Sequence, residues 1–377
     1  MKKLAALLLA GSCLLSACAP AKGGAPSAAL AKLPQSENIG WQISAAEYAP
    51  PVDNSWQVDA PENHGVSPAL LEQMHAALAG TPVYAVLTVR DDVIVDEYYQ
   101  PGYDANSIYP FHSASKALTS ALMGIALQEG YIDSIDDPLS KYLPQVLEQQ
   151  DGRKHSITLR QLLNQTSGLA WYEWGGSSRN NWYEFQSAPN WVEYILNQPL
   201  LQEPGTLFNY STGNTHLLAA ALENATGRPL ADYAQEKLFK PLGMDSVVWG
   251  TDPQGVTDGG NGVVMSARDG ARFGQLFLHG GVWHGEQIVP AQWAAESTQV
   301  QSSGAGDSTG QYGFQWWVRQ FNGYDCYYAF GAWGQYIFVV PELNLATVIA
   351  SQGPQNSYIS RNYFTNYILP ACGETQA

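Results

Sequence analysis

The sequence predicts an α+β protein: an antiparallel sheet built from strands at both ends of the chain, flanked by helices, with a mainly helical region inserted between them. Three observations carry this. Runs of β-branched and aromatic residues at 83–89 and 93–99 are split by Arg90-Asp91-Asp92 and read as a hairpin. Further alternating or apolar runs at 312–319, 324–330, 335–340 and 345–350 sit near the other end. Between the two groups the apolar residues recur at helical spacing, and that order favours a sheet assembled from both ends of the chain.

With 377 residues, 45% hydrophobic and only 14% charged, the chain can bury a large core. A net charge of −16 argues against nucleic acid as a partner, because phosphate binding needs clustered Lys and Arg. It also disfavours electrostatic adhesion to anionic lipid. Met1-Lys2-Lys3 followed by an apolar stretch at 4–15 reads as a secretory signal (residues 1–17), too short for a comfortable membrane span. Leu15-Ser16-Ala17-Cys18 resembles the bacterial lipobox, which predicts a lipid on Cys18. The alternative is an ordinary small-residue cleavage site near Ala17 or Ala19. The expected location is the bacterial cell envelope, lipid-anchored, facing the periplasm or in the outer membrane, with the membrane touched only through the anchor. Residues 18–60 read as a tether and N-terminal extension, and 61–371 as the folded domain. Of the four cysteines, Cys326 and Cys372 fall in that domain, where an exported pair can form a disulfide. The seven histidines are scattered and no Cys-x-x-Cys or His-Glu-x-x-His occurs, so neither a metal site nor a cofactor is expected.

Ser67-Pro68 opens a helix whose apolar face is Leu70, Leu71, Met74 and Leu78. A second helix follows the hairpin, with Ala117, Leu118, Ala121, Leu122, Ile125 and Ala126 as its stripe and Gly130 as its stop. Its start, Phe111-His112-Ser113-Ala114-Ser115-Lys116, holds a Ser-x-x-Lys. Helical spacing sets Ser113 and Lys116 about one turn apart on one face. A serine hydroxyl becomes a nucleophile when a neighbouring base takes its proton, and a desolvated lysine can be that base. Only Lys116 has a serine three residues before it, yet spacing alone leaves a chance pair on a core helix equally open. Residues 158–163 read as helical, and 217–224, 230–238 and 267–278 as further helices. The aromatic stretch with Trp171, Tyr172, Trp174, Trp182, Tyr183, Phe185 and Trp191 either lines a pocket or packs a loop onto the core. Tyr210, in a polar turn, is a possible second acid/base. Gly306-Asp307-Ser308-Thr309-Gly310 matches Gly-x-Ser-x-Gly, but a β run follows it and no histidine lies beyond His284; it reads as a flexible loop.

As a set, several phrases resemble the serine β-lactamase and penicillin-binding-protein superfamily, most closely its esterase-type and 6-aminohexanoate-dimer-hydrolase-like members. They are Phe111-His112-Ser113-Ala114-Ser115-Lys116, Leu159-Arg160-Gln161-Leu162-Leu163-Asn164-Gln165-Thr166-Ser167-Gly168-Leu169, Phe208-Asn209-Tyr210-Ser211-Thr212, Lys240-Pro241-Leu242-Gly243-Met244 and Gly334-Gln335-Tyr336-Ile337-Phe338-Val339-Val340-Pro341. The resemblance implies an acyl-enzyme route: Ser113 attacks a carbonyl, Lys116 accepts its proton, and Tyr210 relays a proton to the leaving group and helps activate water. The oxyanion hole would use the N–H groups of Ser113 and Ala332, with Gly331 letting the backbone come close. Trp171, Trp174, Thr212, Gly331 and Trp333 are the expected pocket residues. Two departures matter. Thr212 stands where the family's second motif usually has Asn. No Lys, Arg or His precedes a Ser/Thr-Gly anywhere, so the cation that would hold a β-lactam or D-Ala-D-Ala carboxylate is missing. The expected substrate is therefore a small neutral ester or amide. The alternatives are a penicillin-binding DD-peptidase, a class C-like β-lactamase, or a non-catalytic envelope binding protein of the same fold.

Overall fold

The β-branched and aromatic runs from the two ends of the chain pair with each other. The computed structural model describes residues 56–173, 180–306, 309–353 and 357–373. Cys18, the signal and most of the tether, Trp174, and Asp307-Ser308 of the Gly-x-Ser-x-Gly phrase lie outside the described residues. β1 (Val83–Arg90) and β2 (Val93–Tyr99) form the N-terminal hairpin. β3 (Ser302–Gly306), β4 (Gly310–Tyr312), β5 (Trp317–Phe321), β6 (Tyr324–Gly331), β7 (Gln335–Val340) and β8 (Leu345–Ser351) come from the C-terminal part. Together they make one eight-stranded antiparallel sheet in the order β2-β1-β8-β7-β6-β5-β4-β3. The last strand lies beside the first, with Val83 opposite Ser351 and Arg90 opposite Leu345. The β1–β2 turn is tight because Asp91 and Asp92 both take positive φ, 51° and 66°, which suits the twist of a two-residue hairpin.

Helices cover both faces. On one, α1 (Pro68–Leu78) buries Leu71, Met74 and Leu78 beside the C-terminal turns Phe364–Ile368 and Leu369–Gly373. Phe364 stacks on Phe338 of β7 with ring centroids 4.0 Å apart. On the other lie α2 (Ser115–Gln128), α3 (Thr212–Thr226) and α4 (Ala267–Leu278). α2 is buried all round from Ser115 to Ala126, which marks it as a central helix rather than a surface one. A small second sheet of Ile108–Pro110, Val263–Ser266 and Val248–Trp249 sits at the start of α2.

The structure departs from the sequence expectations around 302–319 and decides two points that the sequence left open, the state of the cysteines and the place of the aromatic stretch. The run at 312–319 is two strands, because the chain reverses at 313–316: Tyr312 pairs with Trp317, and Gln315 takes φ 70°. Gln315 turns inward there, donating to the carbonyls of Leu162 and Leu163 at 3.1 and 2.8 Å, at the C-terminus of a short helix. Residues 302–306, which lead into the phrase read as a loop at 306–310, form the edge strand β3, because backbone pairing to β4 overrides a weak Ser/Gly propensity. Cys326 and Cys372 are both buried free thiols, not a disulfide. The aromatic stretch divides: Trp171, Phe185 and Trp191 are buried in the core, while Tyr183 stays 64% exposed.

Phe364→Ala opens a cavity between the C-terminal turns and β7. The expected loss is about 3–5 kcal/mol of unfolding free energy, measured by urea denaturation of the full chain.

Candidate active site

Backbone geometry presents Ser113. The N–H of Phe111 donates to the Val263 carbonyl at 2.9 Å, tying the chain to the small sheet. His112 then takes φ 47°, a left-handed conformation that a non-glycine side chain adopts only at a cost of about 1–3 kcal/mol. The sharp turn His112–Ala114 leads directly into α2 and leaves Ser113 beside the helix N-terminus. The second serine of the phrase locks the turn in place, since Ser115 Oγ accepts from the Val263 N–H at 3.1 Å.

Lys116 lies one turn on and is buried, with 1% exposure. Its Nζ donates to Ser113 Oγ at 2.8 Å, Thr212 Oγ1 at 2.9 Å and the Gly260 carbonyl at 2.8 Å. Those three bonds use all the donors of an ammonium. Burial nevertheless pushes the lysine down to about 8, against the opposing pull of the Glu173 and Asp258 carboxylates. At pH 7 about a tenth of it is then neutral, enough to serve as a base.

Tyr210 completes the group. Its hydroxyl is hydrogen-bonded to Ser113, and its ring centroid lies 5.0 Å from Lys116 Nζ. Burial first, then the neighbouring Tyr312 and Glu173, hold its phenol well above the usual range, so it stays protonated. The ring is fixed by stacking on Trp317 at 5.4 Å and by an edge contact with Tyr312 at 6.0 Å. Its backbone is fixed by Gln165, the centre of the phrase at 159–169. The Gln165 carbonyl accepts from Asn209 N at 2.8 Å, and its side-chain oxygen accepts from Ser211 N and Asn214 Nδ2, both at 2.9 Å.

The strand β6 runs past the nucleophile turn, and Gly331 is its contact point. A Cβ there would fall 2.1 Å from the Phe111 carbonyl oxygen. Exposed Ala332 follows, and then Trp333 at φ 65°. Trp333 packs edge-to-face on His112 with centroids 4.7 Å apart, and its N–H donates to Ser357 Oγ at 2.9 Å. Burial and the nearby Lys116 push His112 down to about 3, so its imidazole is neutral.

Of the expected pocket residues, Gly331 and Trp333 sit beside the nucleophile turn. Thr212 lies deeper, buried against Lys116. Trp171 is corrected: at 2% exposure it stands behind the site, packed on Phe185 at 5.5 Å, with its indole N–H given to Glu173. A cavity of about 1000 Å³ lined by Trp56, Lys240, Arg272, Gln275 and Trp283 includes none of Ser113, Lys116 and Tyr210. Chemistry, not volume, locates the site. Among the described residues no cluster of three His, Cys, Asp or Glu side chains could hold a metal ion.

Two side chains of this site were missed by the sequence reading. Asn261 Oδ1 accepts from Ser113 Oγ at 3.1 Å. It lies in Asp258-Gly259-Gly260-Asn261-Gly262, and a Cβ on Gly260 would meet Thr212 Cγ2 at 2.6 Å. That Gly-rich run ahead of a β run was the available signal for a close backbone approach. Glu173 carried no such signal.

A half-buried serine whose hydroxyl meets a buried lysine, with a tyrosine beside it, lies between a central helix and an antiparallel sheet, an arrangement suited to activating a serine hydroxyl. The sequence pattern of the Beta-lactamase family matches residues 69–367, and the chain belongs to that family of serine hydrolases. It is 26% identical over 267 residues to the 6-aminohexanoate-dimer hydrolase of Paenarthrobacter ureafaciens, covering 66% of this chain and 67% of that protein. It is 30% identical over 148 residues to the D-alanyl-D-alanine-carboxypeptidase/endopeptidase AmpH of Escherichia coli (strain K12), covering 39% of this chain and only 38% of AmpH. The fold is shared with EstCE1, a hydrolase with promiscuous acyltransferase activity, at a TM-score of 0.67 and 19% identity over 81% of this chain and 98% of that one.

Gly331→Ala forces β6 away from the nucleophile turn. Labelling of Ser113 by a fluorophosphonate is expected to slow on the order of a hundredfold while far-UV circular dichroism is retained.

Proposed function

We propose that the protein is an exported esterase or small-amide hydrolase working through an acyl-Ser113 intermediate. The 2.8 Å contact between Lys116 Nζ and Ser113 Oγ carries this reading, because the lysine is desolvated enough to lose its proton near neutral pH. Neutral Lys116 takes the Ser113 proton as Oγ attacks the substrate carbonyl carbon. The oxyanion formed is held by the N–H groups of Ser113 and Ala332. Tyr210, kept as a phenol, gives its proton to the leaving oxygen or nitrogen and regains one from Lys116. A water then enters along the reverse path, loses its proton to the Tyr210–Lys116 pair and attacks the acyl carbon; the bond to Ser113 Oγ breaks, the pair returns the proton to Oγ, and the acid leaves.

The missing cation ahead of a Ser/Thr-Gly supports a neutral substrate, and Trp333 beside Gly331 supports an apolar one. The names of the relatives, an amide-dimer hydrolase and a carboxypeptidase, keep the amide option beside the ester. The signal-like residues 1–17 and Cys18 support a lipid-anchored location in the envelope.

Intact-protein mass spectrometry tests this with a fluorophosphonate, a penicillin and p-nitrophenyl butyrate. Expected are a phosphonyl adduct on Ser113, ester turnover and no penicilloyl adduct; a stable penicilloyl-Ser113 transfers the assignment to the peptidase reading. Ser113→Ala is expected to abolish turnover with the fold intact, and retained turnover would falsify the mechanism. The pH dependence has a definite sign. The lysine is active when neutral, so kcat/KM should rise with pH through a limb near 8 and level off above it. Lys116→Arg, which cannot deprotonate, should lower the high-pH plateau of kcat/KM on the order of a thousandfold and remove the limb near 8.

A further inference from the structure

Thr212 occupies a position where the family's usual residue is Asn, and its surroundings show what a hydroxyl does there. Thr212 Oγ1 accepts from Lys116 Nζ at 2.9 Å and donates its own proton to Glu173 Oε1. The second oxygen of that carboxylate accepts from the Thr212 N–H at 2.9 Å and from Trp171 Nε1. Three donors therefore pin one carboxylate, a single hydroxyl away from the base. Buried Trp171, packed on Phe185, supplies one of those donors and makes the placement rigid.

We infer that Glu173 is a positioning residue acting through Thr212, whose carboxylate balances the charge that Lys116 acquires on taking the Ser113 proton. The inference rests on the acyl-serine reading above. During acylation a proton moves from Ser113 Oγ to Lys116 Nζ, and a buried neutral amine becomes a buried cation. That change is costly unless an anion is already in place. Glu173 is fixed beforehand and reached through a group that both accepts from the new ammonium and donates to the carboxylate, so nothing has to reorganise.

Of the other groups facing Lys116, Asp258 also pulls on it from the glycine-rich turn, its Oδ1 accepting from the N–H groups of Gly260 and Asn261 at 3.1 and 3.2 Å, but Glu173 exerts the larger pull. His112 is neutral and Tyr210 is protonated. Glu173 also opposes the burial that lowers the lysine, so its removal has two separable effects. The base becomes neutral at lower pH, and the transition state loses its counter-charge.

The test is the pH–rate profile of ester hydrolysis by the full chain. Glu173→Gln keeps the size and an acceptor oxygen and removes the charge. Its kcat/KM limb should move to lower pH by about one unit or more, with the high-pH plateau of kcat down roughly tenfold. Thr212→Val should lose the plateau similarly, and Thr212→Ser, which restores the hydroxyl, should recover most of it. A plateau loss in Glu173→Gln with the limb unmoved means a merely structural carboxylate and overturns the inference. If Glu173→Gln does not fold, the threonine pair decides: equal kcat plateaus in Thr212→Val and Thr212→Ser also overturn it. Fluorophosphonate labelling of the unsubstituted chain separates the two levels. No adduct on Ser113 removes the acyl-serine reading itself, whereas an adduct together with an unmoved limb removes only the role of Glu173.

Discussion

The buried ammonium of Lys116 is the constraint on which the site is built. A cation with 1% exposure survives only if each of its donors is met, and here the acceptors come from three separate parts of the chain: Ser113 on the turn before α2, Thr212 at the start of α3, and the Gly260 carbonyl before the small sheet. Meeting that demand fixes the relative positions of α2, α3 and the glycine-rich turn. The same contacts gather Ser113, Lys116 and Tyr210 around one hydroxyl. Burial and chemistry are one requirement, because a solvated lysine would remain protonated and could not act.

The sheet supplies the other half of the frame. β6 passes the turn at Phe111–Ala114 at a distance only glycine allows, so Gly331 ties this strand to the turn that carries Ser113. β6 lies in the interior of a sheet whose neighbours are packed by helices on both faces, which makes its position insensitive to surface motion. Strain is stored on both sides of this junction. His112 and Trp333 both take positive φ, and their rings pack edge-to-face across it. The surrounding packing holds two unfavourable backbone conformations where a reacting carbonyl has to be met.

Much of this was legible beforehand. The hairpin at Asp91-Asp92, the α1 face of Leu71, Met74 and Leu78, and the strands β6 to β8 follow from local pattern: α1 buries one periodic face, while β7 and β8 are continuous runs buried on both faces. Ser113 and Lys116 were visible because a helix turn enforces their spacing. Where a residue's conformation is decided by a distant partner, the reading failed. Gln315 breaks an apparently continuous strand because it is needed to cap a helix remote in sequence, and residues 302–306 become a strand only through their neighbour β4. Trp171 looked like a pocket aromatic; its placement against Phe185 and Glu173 is set by packing that no local pattern encodes.

The sequence by itself determined the class of fold, the family and the spacing that sets Ser113 and Lys116 one helix turn apart, because periodicity and short-range spacing are properties of contiguous residues. It also determined that no Lys, Arg or His precedes a Ser/Thr-Gly, since that is a matter of which side chains exist. Only the tertiary structure decided that Lys116 is dry, that Gln165 holds Tyr210, that Asn261 touches Ser113, and that Thr212 links the base to Glu173. Desolvation and hydrogen bonding between remote segments depend on how the chain closes on itself, and local pattern carries no term for either.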